Sequence, residues 1–375
     1  MKSENKMEIL LVTPPGLEEA LRLEAMEKGF KKPVSITGGV QVLGDWKEVW
    51  RANLELRGAS RVLVRIGSFR VVHLSQVDKR MRQFPWGDYL LKDHPVKVEV
   101  TSKKSRVYHQ KAAAERIERA LVEEMGITIS AEADICLKIR IFDDICTISI
   151  DTSGEGLHKR GHKEAVNKAP LRETMAALIL RQCGFNGKEP VVDPMCGSGT
   201  FVIEAAEIAA RKKPGRTRAF AFEKLATFEN AVWQEMRAEN REHLPDLHFY
   251  GFDRDEGAIK FSTANAKRSK VDMLTTFDAQ PISTLSCPDG PAGLVVINPP
   301  YGIRIGDQKK LRPLYQSLGQ VLTQKFPGWR VGLVTNNAGL AQATALPFLP
   351  DPVSISHGGI QVKLYQTAAL PAPQD

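Results

Sequence analysis

The chain has 375 residues, a length that predicts two or three domains. Its 42% hydrophobic and 26% charged content is that of a globular protein, and no apolar run approaches a membrane span. A net charge of +8 permits a polyanionic partner without demanding one.

The N-terminus, Met1-Lys-Ser-Glu-Asn-Lys-Met7, is polar, and Ile9-Leu-Leu-Val12 is too short for a signal-peptide core. Five cysteines, without CxxC or metal-ligand spacing, read as free thiols in a reducing, cytoplasmic setting.

Ile9–Thr13 predicts a strand broken by Pro14-Pro15-Gly16. Leu17–Lys28 is an amphipathic helix closed by Gly29, Val34–Leu43 is strand-like around Gly38-Gly39, and Asp45 can N-cap a helix to about Arg57. Residues 1–58 therefore suggest a small α+β unit. Arg61–Phe69 alternates like a strand, Val77–Phe84 predicts a helix and Pro95–Thr101 a strand. The basic stretch Ser102–Lys111 then leads into a helix over Ala112–Met125. Strands follow at Ile135–Phe142 and Ile145–Asp151, joined by the turn Asp143-Asp144. A basic loop at a helix entrance suits phosphate contacts, here from Lys103, Lys104, Arg106, His109 and Lys111; a solvated charge run is the competing reading.

Composition shifts near residue 155, and 156–170 reads as a Gly/Lys/His-rich linker. His158 and His162 read as exposed loop histidines, because no cysteine or carboxylate sits at ligand spacing; no metal is expected. From 171 to 375, helices and strands alternate as in a doubly wound, mostly parallel sheet. Helices are predicted at Leu171–Gln182, Phe201–Arg211, Phe228–Asn240, Glu256–Arg268 and Leu311–Phe326, with a basic excursion at Arg211–Arg218. Strands are predicted at His248–Asp253, Met273–Phe277, Leu294–Ile297 and Arg330–Thr335.

Two stretches in this half carry chemistry. Asp193-Pro194-Met195-Cys196-Gly197-Ser198-Gly199-Thr200 runs from an apolar strand into a helix. Its glycines let backbone approach a ligand, and the helix end offers free N–H groups. It is neither a dinucleotide fingerprint nor a P-loop, since Val202 replaces the third glycine and no Gly-Lys-Ser/Thr follows. A carboxylate at Asp193 repels phosphate and suits an amino-acid ammonium. Asp253 and Asp278 close two later strands, where they could accept from a ribose diol and an adenine amino group. Cys196 reads as a small packing residue, because no base is placed beside it.

The second stretch is Asn298-Pro299-Pro300-Tyr301. Two prolines end the strand before it. The Asn298 side-chain oxygen and the Pro299 carbonyl can each take one N–H of a ring-conjugated amine, and Tyr301 can stack on the ring. A plain Pro-Pro turn with a surface tyrosine is the bland alternative.

In this order at successive strand ends, these motifs resemble the class I S-adenosylmethionine-dependent methyltransferases of the amino-group branch. Residues 59–155, with Ser105-Arg-Val-Tyr-His109 and Ala112-Ala-Ala-Glu-Arg-Ile117, look like a THUMP RNA-binding domain. Residues 1–58 look like the ferredoxin-like domain that accompanies it. Leu157-His-Lys-Arg-Gly-His162 and Ala169-Pro-Leu-Arg-Glu-Thr174 resemble the linker and first catalytic helix of the same proteins. The resemblance covers nearly the whole chain and is strongest to bacterial guanine-N2 methyltransferases acting on 23S ribosomal RNA.

The resemblance implies a Rossmann-like catalytic domain and S-adenosyl-L-methionine as cofactor. It carries cofactor contacts onto Asp193, Pro194, Cys196, Gly197, Ser198, Gly199, Thr200, Asp253, Arg254, Asp278, Ala279 and Asn298. The catalytic turn is Asn298, Pro299, Pro300 and Tyr301, with Arg304 as a further RNA contact. It implies direct methyl transfer to an unpaired or flipped guanine, without metal or covalent intermediate. Its partner would be 23S ribosomal RNA or a precursor particle; no membrane is expected, and nothing marks an oligomeric state. A tRNA guanine-N2 methyltransferase, an adenine-N6 methyltransferase and a non-catalytic RNA-binding assembly factor are the alternatives. His162 stands where these proteins often have tyrosine, and Asp193 to Asp253 exceeds the roughly twenty residues of a simple nucleotide-binding unit. Some bacterial relatives carry a second methyltransferase; the chain length leads us not to expect a second, 7-methylguanine activity.

Overall fold

The structure, a computed structural model, describes residues 6–164, 171–239, 241–301, 305–357 and 359–372. They form two compact units. One comprises Met1–Thr13, Arg22–Leu157 and Lys213–Asn240; the other comprises Pro14–Leu21, His158–Lys212 and Arg241–Asp375.

The first unit is built on one seven-stranded sheet. Its strands are β1 (Met7–Val12), β2 (Val34–Ile36), β3 (Gly39–Gly44), β4 (Arg61–Arg70), β5 (Val96–Lys103), β6 (Ile135–Phe142) and β7 (Ile145–Asp151). Their order is β2-β3-β1-β4-β7-β6-β5, antiparallel throughout except for the β5–β6 pair. Period-2 alternation sends Ile9, Leu11, Val40, Val42, Val62, Val64, Ile139, Ile141, Ile148 and Ile150 into the core. Asp45 caps helix Trp46–Glu55, accepting from the Glu48 amide at 3.1 Å. The β6–β7 turn places Asp143 and Asp144 at φ 50° and 62°, the left-handed pair of a tight hairpin. Strand β4 pairs with β1 on one side and β7 on the other, so the ferredoxin-like and THUMP stretches share a single sheet.

The basic excursion after residue 211 leads into a segment of this same unit. Arg218 donates to the carbonyls of Ser153, Glu155 and Gly156, at 3.1, 2.7 and 2.9 Å. Phe220, Phe222 and Trp233 form an aromatic cluster, with Phe222 6.1 Å from Trp50 and 4.9 Å from Trp233 between ring centroids. Burying these rings is worth several kcal/mol, about 1.5–3 for each large apolar side chain. The run of 171–375 is therefore interrupted: Lys213–Asn240 packs with the first unit.

The second unit holds β8 (Val191–Asp193), β9 (Phe249–Asp253), β10 (Thr275–Ala279), β11 (Leu294–Ile297), β12 (Arg330–Thr335), β13 (Val353–His357) and β14 (Ile360–Gln366). The order is β10-β9-β8-β11-β12-β14-β13. The first five strands are parallel, and β14 and β13 close the edge antiparallel. β11 is buried along its whole length, as a central strand covered on both faces must be. The order of strand addition reverses between the parallel neighbours β8 and β11, which makes the gap at their carboxyl ends the topological switch point.

Two elements differ from expectation. The helix predicted from Leu311 runs over Ile305–Lys325 with Pro313 inside it. Its first turns are polar in sequence and give no apolar stripe, and Pro313 costs one backbone bond without ending a helix that packs through Leu318, Val321 and Leu322. A six-residue helix, Ala338–Ala343, is too short to show periodicity; Asn337 caps it at 3.0 Å.

Candidate active site

The parallel register brings the four motifs to one edge of the second sheet. Asp278, Asp253, Asp193 and Asn298 lie at the ends of β10, β9, β8 and β11, which are consecutive neighbours. Asp193 is level with Gly251, and Asp253 with Ala279. Three strand spacings of about 4.8 Å put the row at roughly 14 Å across.

The glycine loop is held from beneath. The Cys196 amide donates to the Phe252 carbonyl at 2.8 Å, and the Gly197 amide donates to Asp253 Oδ2 at 3.0 Å. Asp253 Oδ1 accepts from the Asp255 amide, also at 3.0 Å. Each Asp253 oxygen thus keeps a lone pair for a further donor. Asn265 Nδ2 donates to the Ser198 carbonyl at 3.1 Å. Gly199 needs its glycine: φ is 79°, and a Cβ would meet Ser262 Cβ at 2.9 Å. Around Gly197 (φ 53°) a Cβ would meet nothing within 4 Å, so this is the open side of the loop.

Asp193 is 3% exposed and accepts one hydrogen bond, from the Met195 amide at 3.0 Å. Burial pushes its carboxyl up to about 8, and the nearby Asp253 adds to the rise. A buried acid this poorly compensated is suited to a cation brought by a ligand. Cys196 is buried, and burial together with Asp193 and Asp253 drives its thiol well above the usual range. That keeps it a thiol, in keeping with a packing role. Pro194, Ser198 and Thr200 are buried in the loop wall, while Arg254, Asp278 and Ala279 are exposed at the far end of the row.

On the near side, Asn298 is half-buried, and among the described residues its side chain makes no hydrogen bond. Tyr301 packs partly against the core, and burial raises its phenol. Tyr315 pins the turn. Fully buried, it donates through its hydroxyl to the Pro300 carbonyl at 3.2 Å and lies 3.4 Å from Thr335 Oγ1. With Pro300 engaged behind the turn, Asn298 and the Pro299 carbonyl are the acceptors left for a ligand. Arg304 lies outside the described residues.

The stretch read as a linker is built into this unit. Arg160 is 2% exposed and ion-paired to Glu204, with Glu207 at 3.7 Å. Lys163 donates to Thr200 Oγ1 at 2.8 Å and to the Leu171 carbonyl at 2.7 Å, with Glu173 at 3.4 Å. Its ammonium is depressed by burial. His162 is buried, not exposed, and its carbonyl accepts from Arg268 Nε at 2.7 Å. It is carried inward by neighbours whose charges are met by Glu204 for Arg160 and Glu173 for Lys163, partnerships with no local signature. Sequence reasoning also missed Lys163, Asn265 and Tyr315, which act through contacts distant in the chain.

In the first unit, Lys103, Lys104, Arg106, His109 and Lys111 are all exposed. Tyr108, His109, Gln110, Lys111, Ala112 and Glu115 line an open groove of about 480 Å³. Among the described residues no cluster of His, Cys, Asp or Glu could hold a metal ion, and no helix is long and apolar enough to cross a membrane. All five cysteines are free.

Comparison with known proteins decides the family. The RMKL-like, methyltransferase domain matches residues 160–347, the RlmL ferredoxin-like domain 8–63, and the THUMP domain 73–151. The chain belongs to the RMKL-like methyltransferase family. It is 32% identical, over 88% of its own length, to the ribosomal RNA large subunit methyltransferase K/L of Aliivibrio salmonicida (strain LFI1238). That alignment covers 49% of the relative, so the chain spans about half the length of the curated relatives it matches. A possible methylase from Clostridium difficile 630 superposes with TM-score 0.87 at 26% identity, covering 99% of this chain and 100% of that one. A predicted N6-adenine-specific DNA methylase from Listeria monocytogenes str. 4b F2365 gives 0.86 at 30% identity, covering 97% of each chain. The methyltransferase match begins at Arg160, the residue whose buried ion pair ties the former linker to helix Thr200–Ala209.

Proposed function

We propose that the protein transfers the methyl group of S-adenosylmethionine to the exocyclic N2 amine of a guanosine in 23S ribosomal RNA. The observation that carries the reading is the unengaged Asn298 amide, one strand away from the buried acid of the glycine loop. The THUMP match and the ribosomal RNA methyltransferases among the relatives support the substrate.

When bound, the cofactor supplies an electrophilic sulfonium methyl. Asp193, buried in the glycine loop, would hold its ammonium. Asp253 accepts the ribose hydroxyls with the lone pairs that Gly197 and Asp255 leave free. Asp278 accepts from the adenine amino group, with Arg254 and Ala279 beside it. Pro194, Cys196, Gly197, Ser198, Gly199 and Thr200 shape the wall between. Asn298 Oδ1 and the Pro299 carbonyl hold the two N–H groups of the guanine amine and turn its nitrogen towards the methyl, while Tyr301 stacks on the base. Positioning of this kind supplies much of the rate. N2 lies in the minor groove of paired RNA, so the base is presented unpaired or flipped.

Tritiated S-adenosylmethionine, incubated with total RNA from a strain lacking the gene, tests the reading. Label in N2-methylguanosine of the large ribosomal RNA is expected. Label in small RNA would move the substrate to tRNA, and label in N6-methyladenosine would move the acceptor to the adenine-N6 amine. Asn298→Ala should abolish turnover while the cofactor still binds; undiminished turnover would refute the assigned role.

A further inference from the structure

The THUMP part of the first sheet leaves one face uncovered by its helices. Rows of side chains on that face follow from the strand register. One row reads Lys103–Phe142–Ile145–Arg70 across β5, β6, β7 and β4. The next reads Thr101–Arg140–Thr147–Ser68. Lys103, Arg140, Ile145 and Arg70 are exposed, and Phe142 is half-buried. The residues between them in each strand, such as Ile139, Ile141, Cys146 and Ile148, are buried on the other face.

Charge on this face is unevenly compensated. At one end Lys138 and Lys97 are paired with Glu99, Arg65 with Glu8 and Arg61 with Asp151. At the Phe142 corner the pairing stops. The Arg140 guanidinium sits 4.5 Å from the centroid of the Phe142 ring and Lys104 Nζ 6.0 Å from it. Among the described residues Arg140, Lys103 and Lys104 have no ion-pair partner. The nearby acids are Asp144, which accepts from the Arg106 amide at 2.9 Å and lies 3.9 Å from Arg70, and the exposed turn residue Asp143. Three unpaired cations around one accessible ring, with a fourth along the row, match a chain that alternates flat bases with phosphates.

We propose that Phe142 and Arg140, with Lys103, Lys104 and Arg70, form a stacking platform for an unpaired stretch of RNA on the open face of the THUMP sheet. Phe142 takes a base, Arg140 braces the ring and contacts a phosphate, and Lys103 and Arg70 track the backbone to either side. This places the RNA contact on the sheet, not at the helix entrance lined by His109 and Lys111. It rests on the RNA-substrate reading above.

Fluorescence anisotropy of the full-length protein with a labelled, unstructured oligoribonucleotide tests it, beside a blunt RNA duplex. The double variant Arg140→Ala/Phe142→Leu should weaken oligonucleotide binding about tenfold or more while binding S-adenosylhomocysteine normally. Phe142→Trp, which keeps a stacking face, should bind like wild type. Arg140→Ala alone should lower the salt slope by about 0.7. Unchanged binding by the double variant, or a loss seen only with His109→Ala/Lys111→Ala, would overturn the platform and leave the RNA reading intact. Failure of the wild-type protein to bind any RNA would overturn both.

Discussion

The buried acid of the glycine loop makes cofactor affinity depend on pH in a way that can be worked out beforehand. Burial pushes Asp193 up to about 8, so at pH 6 the ligand-free protein holds it protonated. An ammonium bound against it favours the carboxylate, so binding must release that proton. Below pH 8 each unit of acidification then costs up to tenfold in affinity, about 1.4 kcal/mol, and pH 6 should bind about 20- to 50-fold more weakly than pH 8, where half of the acid is already protonated. Above about 8 an α-amino group itself deprotonates, so affinity turns over and peaks there. The same acid makes the ligand-free fold prefer low pH. Its folded pKa lies above the ordinary 3.8, so the native state binds the proton more tightly than the unfolded chain. That contribution is present in acid and is lost as pH rises towards 8. Isothermal titration with S-adenosylhomocysteine, in two buffers of different ionisation heat, reads both affinity and proton release. Close to one proton should be released per ligand at pH 6 to 7. Asp193→Asn should remove the acid limb and bind weakly at every pH. A flat wild-type profile between pH 6 and 8, or the same limb in the variant, would refute the reasoning.

Three further outcomes follow from packing. Gly251→Ala would set a Cβ 2.5 Å from Phe277 Cδ1 and 3.2 Å from Cys196 Cβ, beneath the loop. It should cost about 1–3 kcal/mol in thermal or urea unfolding and weaken S-adenosylhomocysteine binding; wild-type values for both would show that the floor is not rigid. Tyr315→Phe removes the bond to the Pro300 carbonyl, at a cost of about 1 kcal/mol in stability. It should lower kcat and leave cofactor Kd alone, and a change confined to Kd would contradict the positioning role. Arg160→Ala removes the buried cation paired with Glu204 and close to Glu207 and should cost about 3–5 kcal/mol, measured as a drop in urea midpoint.

The site was legible where chemistry and local backbone coincide. A strand that stops at Pro299-Pro300, and a glycine loop that opens a helix, declare themselves within a few residues. Their common sheet edge then follows from parallel strand–helix alternation. Groups that act through partners far along the chain left no such mark. Arg160 and Lys163 look like one more basic loop until Glu204 and Thr200 are brought to them, some forty residues on. His162 was misplaced for the same reason: its polarity says surface, while the ion pairs beside it carry the backbone inside. Tyr315 sits on a helix whose stripe reads as ordinary core, and only the fold aims its hydroxyl at the turn.

The first sheet shows how two correctly read local patterns can hide one cooperative object. Residues 1–58 and 59–155 each present their own strands and helices, yet β4 supplies hydrogen bonds to both. Cutting between 58 and 59 would leave β1 without one neighbour in the first piece and open a raw edge on β4 in the second. Helix Trp46–Glu55 is joined to the same seam. Asn53 Nδ2 donates to Thr152 Oγ1 at 3.0 Å, Ser153 Oγ donates to Asn53 Oδ1 at 2.7 Å, and all three residues are buried. A cut would break both bonds and leave Asn53 Oδ1 without its Ser153 donor, at about 1–3 kcal/mol. The THUMP half of the sheet therefore takes part of its order from the ferredoxin-like half. A loss of RNA binding on deleting residues 1–58 would report a damaged sheet, whereas substitutions at Arg140 and Phe142 on its exposed face leave the seam intact.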